Sequence, residues 1–323
     1  MMQRDNTFAV GVDIGGTNSQ AAVISRDQGA IVSRVGQPTD AAKGPEAGLQ
    51  AIGDLIAQAI AQADLDPADI AGIGVGCTGP LDVDKGLIME PWTMPGWVDV
   101  PIVDHLVARF DRPVYLDNDC NVAALGEHWI GAGQGHKDML YLTVSTGIGA
   151  GIIIDNRLRQ GFGYNMGEVG LMSIDMDGPA CFEGSSGCWE YLAAGPAIAQ
   201  VARQQADQAF LAAANGDPDQ ITAAIVARLA GEGHPIARSI MEQEAYYLGV
   251  GLANLLVILA PEIVVMGGGV MKSWDVLAPA MIRIVRERTR LISSAQVIPI
   301  VRAQLELSAG FIGAARMVFQ TER

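Results

Sequence analysis

Cysteine is scarce in this sequence, with 4 residues among 323. So few thiols exclude a disulfide framework as the main source of stability in a chain of this length. An uninterrupted apolar run is also missing, because the most apolar stretch, Leu248–Met266, contains Asn254, Pro261 and Glu262. This stretch is typical of a helix followed by a buried strand and not of a membrane span. The N-terminal residues are polar and show no secretion signal, so we expect a reduced cytoplasmic compartment and no membrane partner.

Positive charge is in short supply as well. The chain has 21 Lys and Arg against 36 Asp and Glu, a net charge of −15. Bulk electrostatics therefore argue against nucleic acid or an anionic membrane surface as a partner. Any anion must be bound locally, by backbone N–H groups or through a metal ion. Apolar residues are abundant instead, at half of the chain, which is typical of a folded protein with a large core.

Strand and helix patterns alternate along the chain, which predicts an α/β fold, and the length suggests two domains. Strands are predicted at 9–14, 20–24, 30–34, 70–75, 113–116, 139–145, 151–154, 263–266 and 296–301. Helices are predicted at 45–64, 121–129, 196–211, 218–229, 236–259, 274–288 and 308–319, with another starting near Cys188 and Asp217 capping the one at 218. The segment 8–17 weakly repeats at 140–149, each time as an apolar strand, a glycine-rich turn and a second strand. Two similar halves of this kind would suit a nucleotide bound between domains.

The first chemical motif follows the first predicted strand and consists of Asp13, Ile14 and then Gly15, Gly16, Thr17 and Asn18. Glycines lack Cβ atoms, so the backbone turns tightly and approaches a ligand closely. Consecutive N–H groups in such a turn can bind phosphate oxygens. The preceding carboxylate can hold Mg²⁺ directly or through water. The alternative is an ordinary hairpin turn.

The second motif, STGIGAG, runs from Ser145 to Gly151 and has three glycines at alternate positions after a buried strand. It again exposes backbone N–H groups, although a glycine-rich bulge or close strand packing is the alternative. No Gly-Lys-Ser/Thr follows, so this is not a Walker A loop. A strand follows it in place of a helix, so it is not a Rossmann fingerprint either. The pair of glycine motifs is more specific than either alone.

The third motif is Asn118-Asp119, between a strand and a helix. A sugar hydroxyl is a poor nucleophile, and a carboxylate within hydrogen-bond reach can orient it and accept its proton. Asp119 is therefore the candidate base. The alternative is that Asp119 only caps the following helix, a common role for Asp at such a place.

Taken together, these motifs resemble the ROK kinase family over essentially the whole chain and in order. The resemblance rests on the segments Asp13–Asn18, Thr78–Pro80, Met94–Trp97, Asn118–Asn121, Thr146–Gly149, Gly167–Gly170, Gly187–Glu190 and Pro261–Gly269. It implies a two-domain α/β fold of the actin-like ATPase and hexokinase (ribonuclease H-like) type. The implied small domain is 1–117 plus 306–323, and the implied large domain is 118–305. The implied activity is an ATP-dependent sugar kinase, and the implied assembly is a homodimer.

The resemblance also implies residue roles. Cofactor binding falls to Asp13, Gly15, Gly16, Thr17, Asn18, Thr146, Gly147, Ile148, Gly149, Gly267, Gly268 and Gly269. Within that set, Asp13 would serve Mg²⁺, and the Gly267–Gly269 loop would lie beside the adenosine of ATP. Substrate binding falls to Gly79, Thr93, Asn118, Asp119, Glu168, Leu171 and Glu190, with Asp119 as catalytic base. Carboxylates at Glu168 and Glu190 suit a sugar, which presents hydrogen-bond donors in fixed directions. The alternatives are a solvated loop residue for Glu168 and a first-turn helix acid for Glu190.

The sequence departs from the family at its structural zinc site. The family's one His and three Cys correspond here to Leu171, Cys181, Glu183 and Cys188. Leucine cannot bind zinc, so at most three ligands remain where a structural site normally needs four. We expect no metal there, and two free thiols in a loop held by packing.

Two of the departures touch the sugar site. In the family, the His replaced by Leu171 also contacts the sugar, and Thr93 stands where an Asn often contacts a sugar hydroxyl. Sites that pair a hydroxyl discriminate strongly, so the two changes predict a preference shifted from glucose toward another hexose, an amino or N-acetyl sugar, or a related polyol.

Three other functions are open at this point. The family includes transcriptional repressors with an added N-terminal DNA-binding domain, whereas here the phosphate motif starts within the first 20 residues of an acidic chain. A catalytically silent sugar sensor is the second alternative, although both glycine loops, Asp13 and Asp119 are intact. The third is a kinase that uses polyphosphate in place of ATP.

Overall fold

The structure is a computed structural model that describes residues 7–181 and 184–321. Its fold is α/β. The strands are β1 (Phe8–Ile14), β2 (Asn18–Ser25), β3 (Ile31–Pro38), β4 (Ile70–Cys77), β5 (Leu81–Asp82), β6 (Leu87–Ile88), β7 (Val114–Asn118), β8 (Met139–Val144), β9 (Ile148–Ile154), β10 (Arg157–Arg159), β11 (Ile263–Gly267) and β12 (Ile300–Arg302). The helices are α1 (Pro45–Gln62), α2 (Ile102–Phe110), α3 (Asp119–Ile130), α4 (Trp189–Ala193), α5 (Gly195–Gln204), α6 (Gln208–Ala213), α7 (Ala223–Gly231), α8 (Pro235–Leu259), α9 (Trp274–Arg288) and α10 (Ala309–Thr321). None of the helices in this part of the chain is long and apolar enough to cross a membrane.

The chain divides into two compact units. Unit 1 comprises the described residues of 1–137, 151–167 and 304–323, and unit 2 comprises 138–150 and the described residues of 168–303. These units differ from the domain boundaries at 117 and 306 that the resemblance implies, and those boundaries stay a prediction.

Unit 1 is built on a five-stranded sheet with the order β3-β2-β1-β4-β7. β1 runs antiparallel to β2, and β4 runs parallel to both β1 and β7. Every residue of β4 is buried, as expected for a central strand covered on both faces. One cover is α1, which begins with Pro45 at its first turn and buries Leu49, Ile52 and Ile56 at helical spacing.

The opposite face of this sheet is covered by α10, which lies unusually close to the sheet and to α3. A Cβ at Gly11 of β1 would lie only 1.7 Å from the carbonyl oxygen of Phe311, and one at Gly74 of β4 would lie 1.9 Å from that of Ala314. Glycine is therefore required in both strands, because any side chain would push the C-terminal helix away. This packing ties the end of the chain to the strands that carry the first motif.

The second sheet has the order β10-β9-β8-β11-β12. In unit 2, β11 is parallel to β8 and to β12, with Val264 paired to Leu140 and Ile300. The 25-residue helix α8 packs against α9, α7, α4 and α5 of the same unit. All residues from Leu248 to Ala253 are buried, as expected for a helix segment enclosed by other elements.

Two of the predicted helices are interrupted in the structure. The segment predicted as one helix over 196–211 forms α5 and α6, because the Asp207 side chain accepts the N–H groups of Ala209 and Phe210 and starts a new helix. Asp217, predicted to cap a helix over 218–229, caps only a short 3₁₀ turn at Pro218–Gln220. Thr222 caps α7 instead. Both predictions of a continuous helix were wrong. The side chains of Asp207, Asp217 and Thr222 accept backbone N–H groups that a continuous helix would use, although the apolar spacing continues across them.

Candidate active site

The first glycine motif forms the tight turn between β1 and β2. The Gly15 N–H donates to the carbonyl oxygen of Asn18 at 3.0 Å, which closes the turn. The Thr39 hydroxyl donates to the Gly15 carbonyl at 2.6 Å and fixes it from the side. Thr17 and Asn18 are exposed at its tip. The motif therefore forms a hairpin turn between two strands, and the binding of phosphate at this turn stays a prediction.

Thr93 lies beside this turn. A Cβ at Gly16 would lie 2.6 Å from the Thr93 Cβ, so glycine is what permits the contact. The Thr93 hydroxyl oxygen is buried and has no hydrogen-bond partner in the described part of the chain. A buried hydroxyl without a partner carries a desolvation penalty, and a ligand hydroxyl can relieve it.

Asp119 is the first residue of α3, directly after β7. Asn118 is the cap of that helix, since its side-chain oxygen accepts the Cys120 N–H at 2.8 Å. An Asp119 oxygen accepts the same N–H at 2.8 Å. The alternative in which Asp119 serves only as the helix cap is therefore not needed, because Asn118 fills that position. Gly79 lies next to Asn118, whose side-chain nitrogen would be 3.5 Å from a Cβ at Gly79.

Strand register brings the first and third motifs to one edge of the sheet. Ile14 of β1 pairs with Cys77 of β4, and Cys77 pairs in turn with Asn118 of β7. The carboxyl ends of three parallel strands therefore coincide, and Asp13 and Asp119 lie on either side of β4, at about two strand spacings, or ~10 Å. Ligands of open α/β sheets bind at such edges.

Both carboxyl groups have raised pKa values, and that of Asp13 depends in part on Asp119. Burial, with a smaller contribution from the negative charge of Asp119, raises the pKa of Asp13 to about 7. Burial also raises the pKa of Asp119, an effect that its hydrogen bond from the Cys120 N–H partly offsets. The same surroundings raise the pKa of the buried Cys77 thiol, which keeps it protonated and inert. A carboxyl group with a raised pKa is a stronger proton acceptor than an ordinary surface aspartate.

Asp117 is a site residue that sequence reasoning missed. It is buried on β7 and accepts hydrogen bonds from the Asn118 N–H at 2.7 Å, the Asn121 side chain at 2.8 Å and the Gln160 side chain at 2.6 Å. These bonds hold the strand-to-helix turn that carries Asn118 and Asp119. The only sequence signal was an aspartate inside an apolar strand, a place where an acid must find partners.

In unit 2 the second glycine motif contacts Glu190. The turn is closed by the Ser145 N–H, which donates to the Gly147 carbonyl at 2.8 Å. Oε2 of Glu190 accepts the Ile148 N–H at 2.8 Å, and a Cβ at Gly147 would lie 2.4 Å from that oxygen. Thr146 and Gly149 flank these contacts. The Ile148 N–H therefore donates to a carboxylate in this structure and is not open for a phosphate.

Glu168 and Leu171 lie together at the two ends of a short 3₁₀ turn, Val169–Leu171. The Leu171 N–H donates to the Glu168 carbonyl at 3.2 Å, and the Leu171 side chain is 51% exposed. A Cβ at Gly170 would lie 2.4 Å from the Ile148 carbonyl and 3.1 Å from Oε2 of Glu190. The 3₁₀ turn therefore packs against both the second glycine motif and Glu190.

The Gly267–Gly269 segment lies at the end of β8, where the second motif begins. Gly268 has φ +91°, and a Cβ there would lie 2.4 Å from the Val144 carbonyl. Gly269 lies beside the Ser145 hydroxyl, at 3.5 Å from its would-be Cβ. Unit 2 thus gathers its two glycine segments, Glu168, Leu171 and Glu190 into one cluster, and unit 1 gathers Asp13, the first turn, Gly79, Thr93, Asn118 and Asp119 into another.

The cysteine loop differs from its prediction. Cys181 and Cys188, expected as free thiols, form a disulfide, so that expectation was wrong. A chain reversal, in which the Cys181 N–H donates to the Ser185 carbonyl at 3.1 Å, brings the two Cα atoms to 6.1 Å, a separation suited to a disulfide. Glu183, the third candidate ligand there, lies outside the described residues. Among those described, no group of three or more His, Cys, Asp or Glu side chains is arranged to hold a metal ion.

Comparison with known proteins decides the family. A model of the ROK family matches residues 9–321. The chain belongs to the ROK family. It is 36% identical over 272 residues to a glucokinase of Halalkalibacterium halodurans, which covers 83% of this chain and 82% of that protein. It is also 31% identical to a xylose repressor of Caldicellulosiruptor bescii, over 82% of this chain and 67% of that protein.

Solved structures of the family agree with the fold. A ROK hexokinase from Thermus thermophilus matches with a TM-score of 0.81 and 35% identity, over 98% of this chain and 99% of that one. A ROK glucokinase from Streptomyces griseus, in complex with glucose and AMPPNP, matches with a TM-score of 0.77 and 32% identity, over 97% and 99%. The expected actin-like ATPase and hexokinase fold is thereby confirmed, as is the expected family.

Proposed function

We propose that this ROK protein transfers the γ-phosphoryl group of ATP to a hydroxyl, O6, of glucose or a related or N-acetylated hexose. Its class, a carbohydrate kinase, follows from its family and its glucokinase relatives. The observation that carries the finer proposal is the pair of carboxyl groups at one sheet edge, with Asp119 at the start of α3 and Asp13 at the glycine turn.

In the proposed reaction, Asp119 accepts the proton of the sugar hydroxyl as its oxygen forms the bond to the γ-phosphorus. The bond between that phosphorus and the β,γ-bridging oxygen breaks, and ADP leaves with the electron pair. Phosphoryl transfer needs alignment and charge neutralisation more than covalent help. Asn118 and Asp119 are well placed to align the sugar because Asp117 and the helix cap hold their backbone.

The glycine turns are the proposed phosphate contacts, at Gly15–Asn18 in unit 1 and at Thr146, Gly147 and Gly149 in unit 2, with Gly267–Gly269 beside the adenosine. Ile148, also predicted as a phosphate contact, would first have to release its N–H from the Glu190 carboxylate. Asp13 is the proposed residue for Mg²⁺, and the site fits a cation because two acids, Asp13 and Asp119, lie at one edge of the sheet. When bound, Mg²⁺ would neutralise phosphate charge. Mg²⁺ keeps several waters and needs few protein ligands, so a single carboxylate suffices.

Substrate preference follows from Thr93 and Leu171. The Thr93 hydroxyl is buried without a partner and offers one hydrogen bond to a sugar. Leu171 presents a half-exposed apolar side chain where the family carries a polar one. An apolar wall accommodates a substituent such as an N-acetyl methyl better than a bare hydroxyl. We therefore propose a preference shifted away from plain glucose.

A panel of sugars in a coupled ADP-release assay with ATP and Mg²⁺ tests the proposal. We expect turnover on hexoses, with a related or N-acetylated hexose at least matching glucose in kcat/KM. Fastest turnover on glucose would refute the shifted preference alone. Sugar binding by calorimetry without turnover on any sugar would identify a silent sensor and refute the kinase.

A parallel series with polyphosphate identifies the phosphoryl donor, and sedimentation equilibrium tests the proposed homodimer.

A further inference from the structure

Unit 2 contains a cavity of about 320 Å³ that the proposed reaction does not use. It lies among α4, α5 and α8. Its polar lining consists of three glutamines, two tyrosines and one acid: Gln200, Gln204, Gln243, Tyr191, Tyr247 and Glu244. The other six lining residues are aliphatic, so the cavity combines apolar walls with polar groups that can orient a small molecule.

Glu244 is the unusual member of this lining. Its side chain is only 3% exposed, and its Oε1 has no hydrogen-bond partner within the described residues. No Lys or Arg is among the described residues that line the cavity, so none of these supplies a cation to Glu244. Burial raises its pKa well above the ordinary value, so Glu244 keeps its proton while the cavity is empty. A cation that enters would stabilise the carboxylate form, and the proton would leave on binding. An unpartnered buried acid is unfavourable, and its presence in a cavity points to a group that enters and pairs with it.

The other polar lining residues indicate what that group is. Tyr191 and Tyr247 supply aromatic rings, which attract organic cations, and the glutamine amides can accept further N–H donors. The aliphatic walls suit the carbon chain of such a cation. A chain with a net charge of −15 also attracts cations at long range.

We propose that this cavity is a binding site for a small organic cation, an alkyl ammonium or guanidinium compound whose N–H groups pair with Glu244. The site is separate from the glycine motif. Glu190 of α4 directs its carboxylate to the Ile148 N–H, whereas the next two residues, Tyr191 and Leu192, line the cavity. Residues of α4 contact both the glycine motif and the cavity. A ligand in the cavity can therefore change the position of the Glu190 carboxylate.

Calorimetry on the full chain tests this with butylamine and butylguanidine as probes and butan-1-ol as their uncharged analogue. We expect both cations to bind with Kd values at least ~10-fold below that of the alcohol. Glu244→Gln should weaken the cations at least ~10-fold and leave the alcohol unchanged. The matched control is Glu242→Gln, an exposed acid two residues away on α8, which should bind both cations as the wild type does.

A second variant keeps the test decisive if Glu244→Gln folds poorly. Ala197→Leu narrows the cavity from α5 without touching the acid, and it should also abolish cation binding while the melting temperature stays within a few degrees of wild type. Three results would overturn the proposal: no binding of either cation at 10 mM, equal binding of alcohol and amine, or unchanged cation affinity in Glu244→Gln. Tighter binding of a neutral polyol such as glycerol, lost in Glu244→Gln, would contradict the cationic class.

Discussion

At the scale of single residues, position within the backbone decides what each acid does. Asp117 is tied by three hydrogen bonds and holds the turn. Asp119, two residues later, is held at the start of the helix, and desolvation raises its pKa. The first arrangement suits a positioning role, and the second suits a proton acceptor.

Asp119→Asn should remove the proposed base while preserving shape. We expect kcat to fall ~10²–10⁴-fold, the usual size of general-base catalysis, and the sugar Kd to change less than about threefold. Steady-state kinetics and calorimetry measure the two quantities. Asp104→Asn, at an exposed position of α2, is the control and should leave both unchanged. A kcat near the wild-type value in Asp119→Asn would remove Asp119 from the mechanism.

Glu244 should make the stability of the chain depend on pH. Its pKa is raised by burial above the ordinary value of 4.5, so the folded state keeps a proton that the unfolded state has released. Because the unfolded state then binds fewer protons, this group lowers the free energy of unfolding as pH rises above about 4.5. Tyr191 and Tyr247 are the other titratable side chains in the cavity lining.

Glu244→Gln should abolish that dependence, since glutamine does not titrate. We expect the melting temperature of the variant, relative to wild type, to increase steadily from pH 5 to pH 8 in scanning calorimetry. Glu242→Gln should show no such trend. A constant difference between Glu244→Gln and wild type over this range would mean that the acid ionises as freely in the folded chain as in the unfolded one.

At the scale of elements, close backbone packing is what positions the unit 1 cluster. α10 lies on β1, β4 and α3, the three elements that carry or adjoin Asp13 and Asp119. Glycines at each crossing permit the approach. On α10 itself, a Cβ at Gly313 would lie 1.6 Å from the Val122 carbonyl of α3. The helix cannot accept that atom without moving away.

Gly313→Ala should therefore destabilise the chain by about 3 kcal/mol, the upper part of the usual range for overpacking. Thermal unfolding followed by circular dichroism measures the loss. Gly231→Ala is the control, at the end of α7 with no atom within 4 Å of its would-be Cβ, and should be neutral or stabilising by up to ~1 kcal/mol. Equal effects of the two substitutions would show that α10 adjusts freely to the added methyl group.

At the scale of the whole molecule, net charge bears on which partners the chain can attract. A net charge of −15 opposes approach to a polyanion, because nonspecific DNA affinity rests on cationic contacts with phosphates. The two units instead gather glycine turns and carboxylates, which suit a nucleotide and a sugar.

The chain should form no complex with duplex DNA at 50 mM salt and micromolar protein, conditions that favour nonspecific binding. Fluorescence anisotropy of a labelled duplex measures this, with a basic helix-turn-helix protein as positive control. A salt-sensitive complex in this range would reopen the repressor alternative.

The sequence alone determined the family, the two glycine motifs, the acid at the start of α3 and most strands. These depend on residues close together along the chain, where apolar spacing, glycine turns and the order of motifs are directly readable. Helices 196–211 and 218–229 were predicted without their interruptions, because the caps that divide them depend on single side-chain hydrogen bonds.

Only the tertiary structure revealed the partners of Asp117, the Cys181–Cys188 disulfide, the contact of Glu190 with Ile148 and the cavity around Glu244. Each joins residues from different segments of the chain, or depends on how deeply a side chain is buried. A local pattern carries no information about which distant group will lie beside a given side chain, because packing of the whole chain decides that.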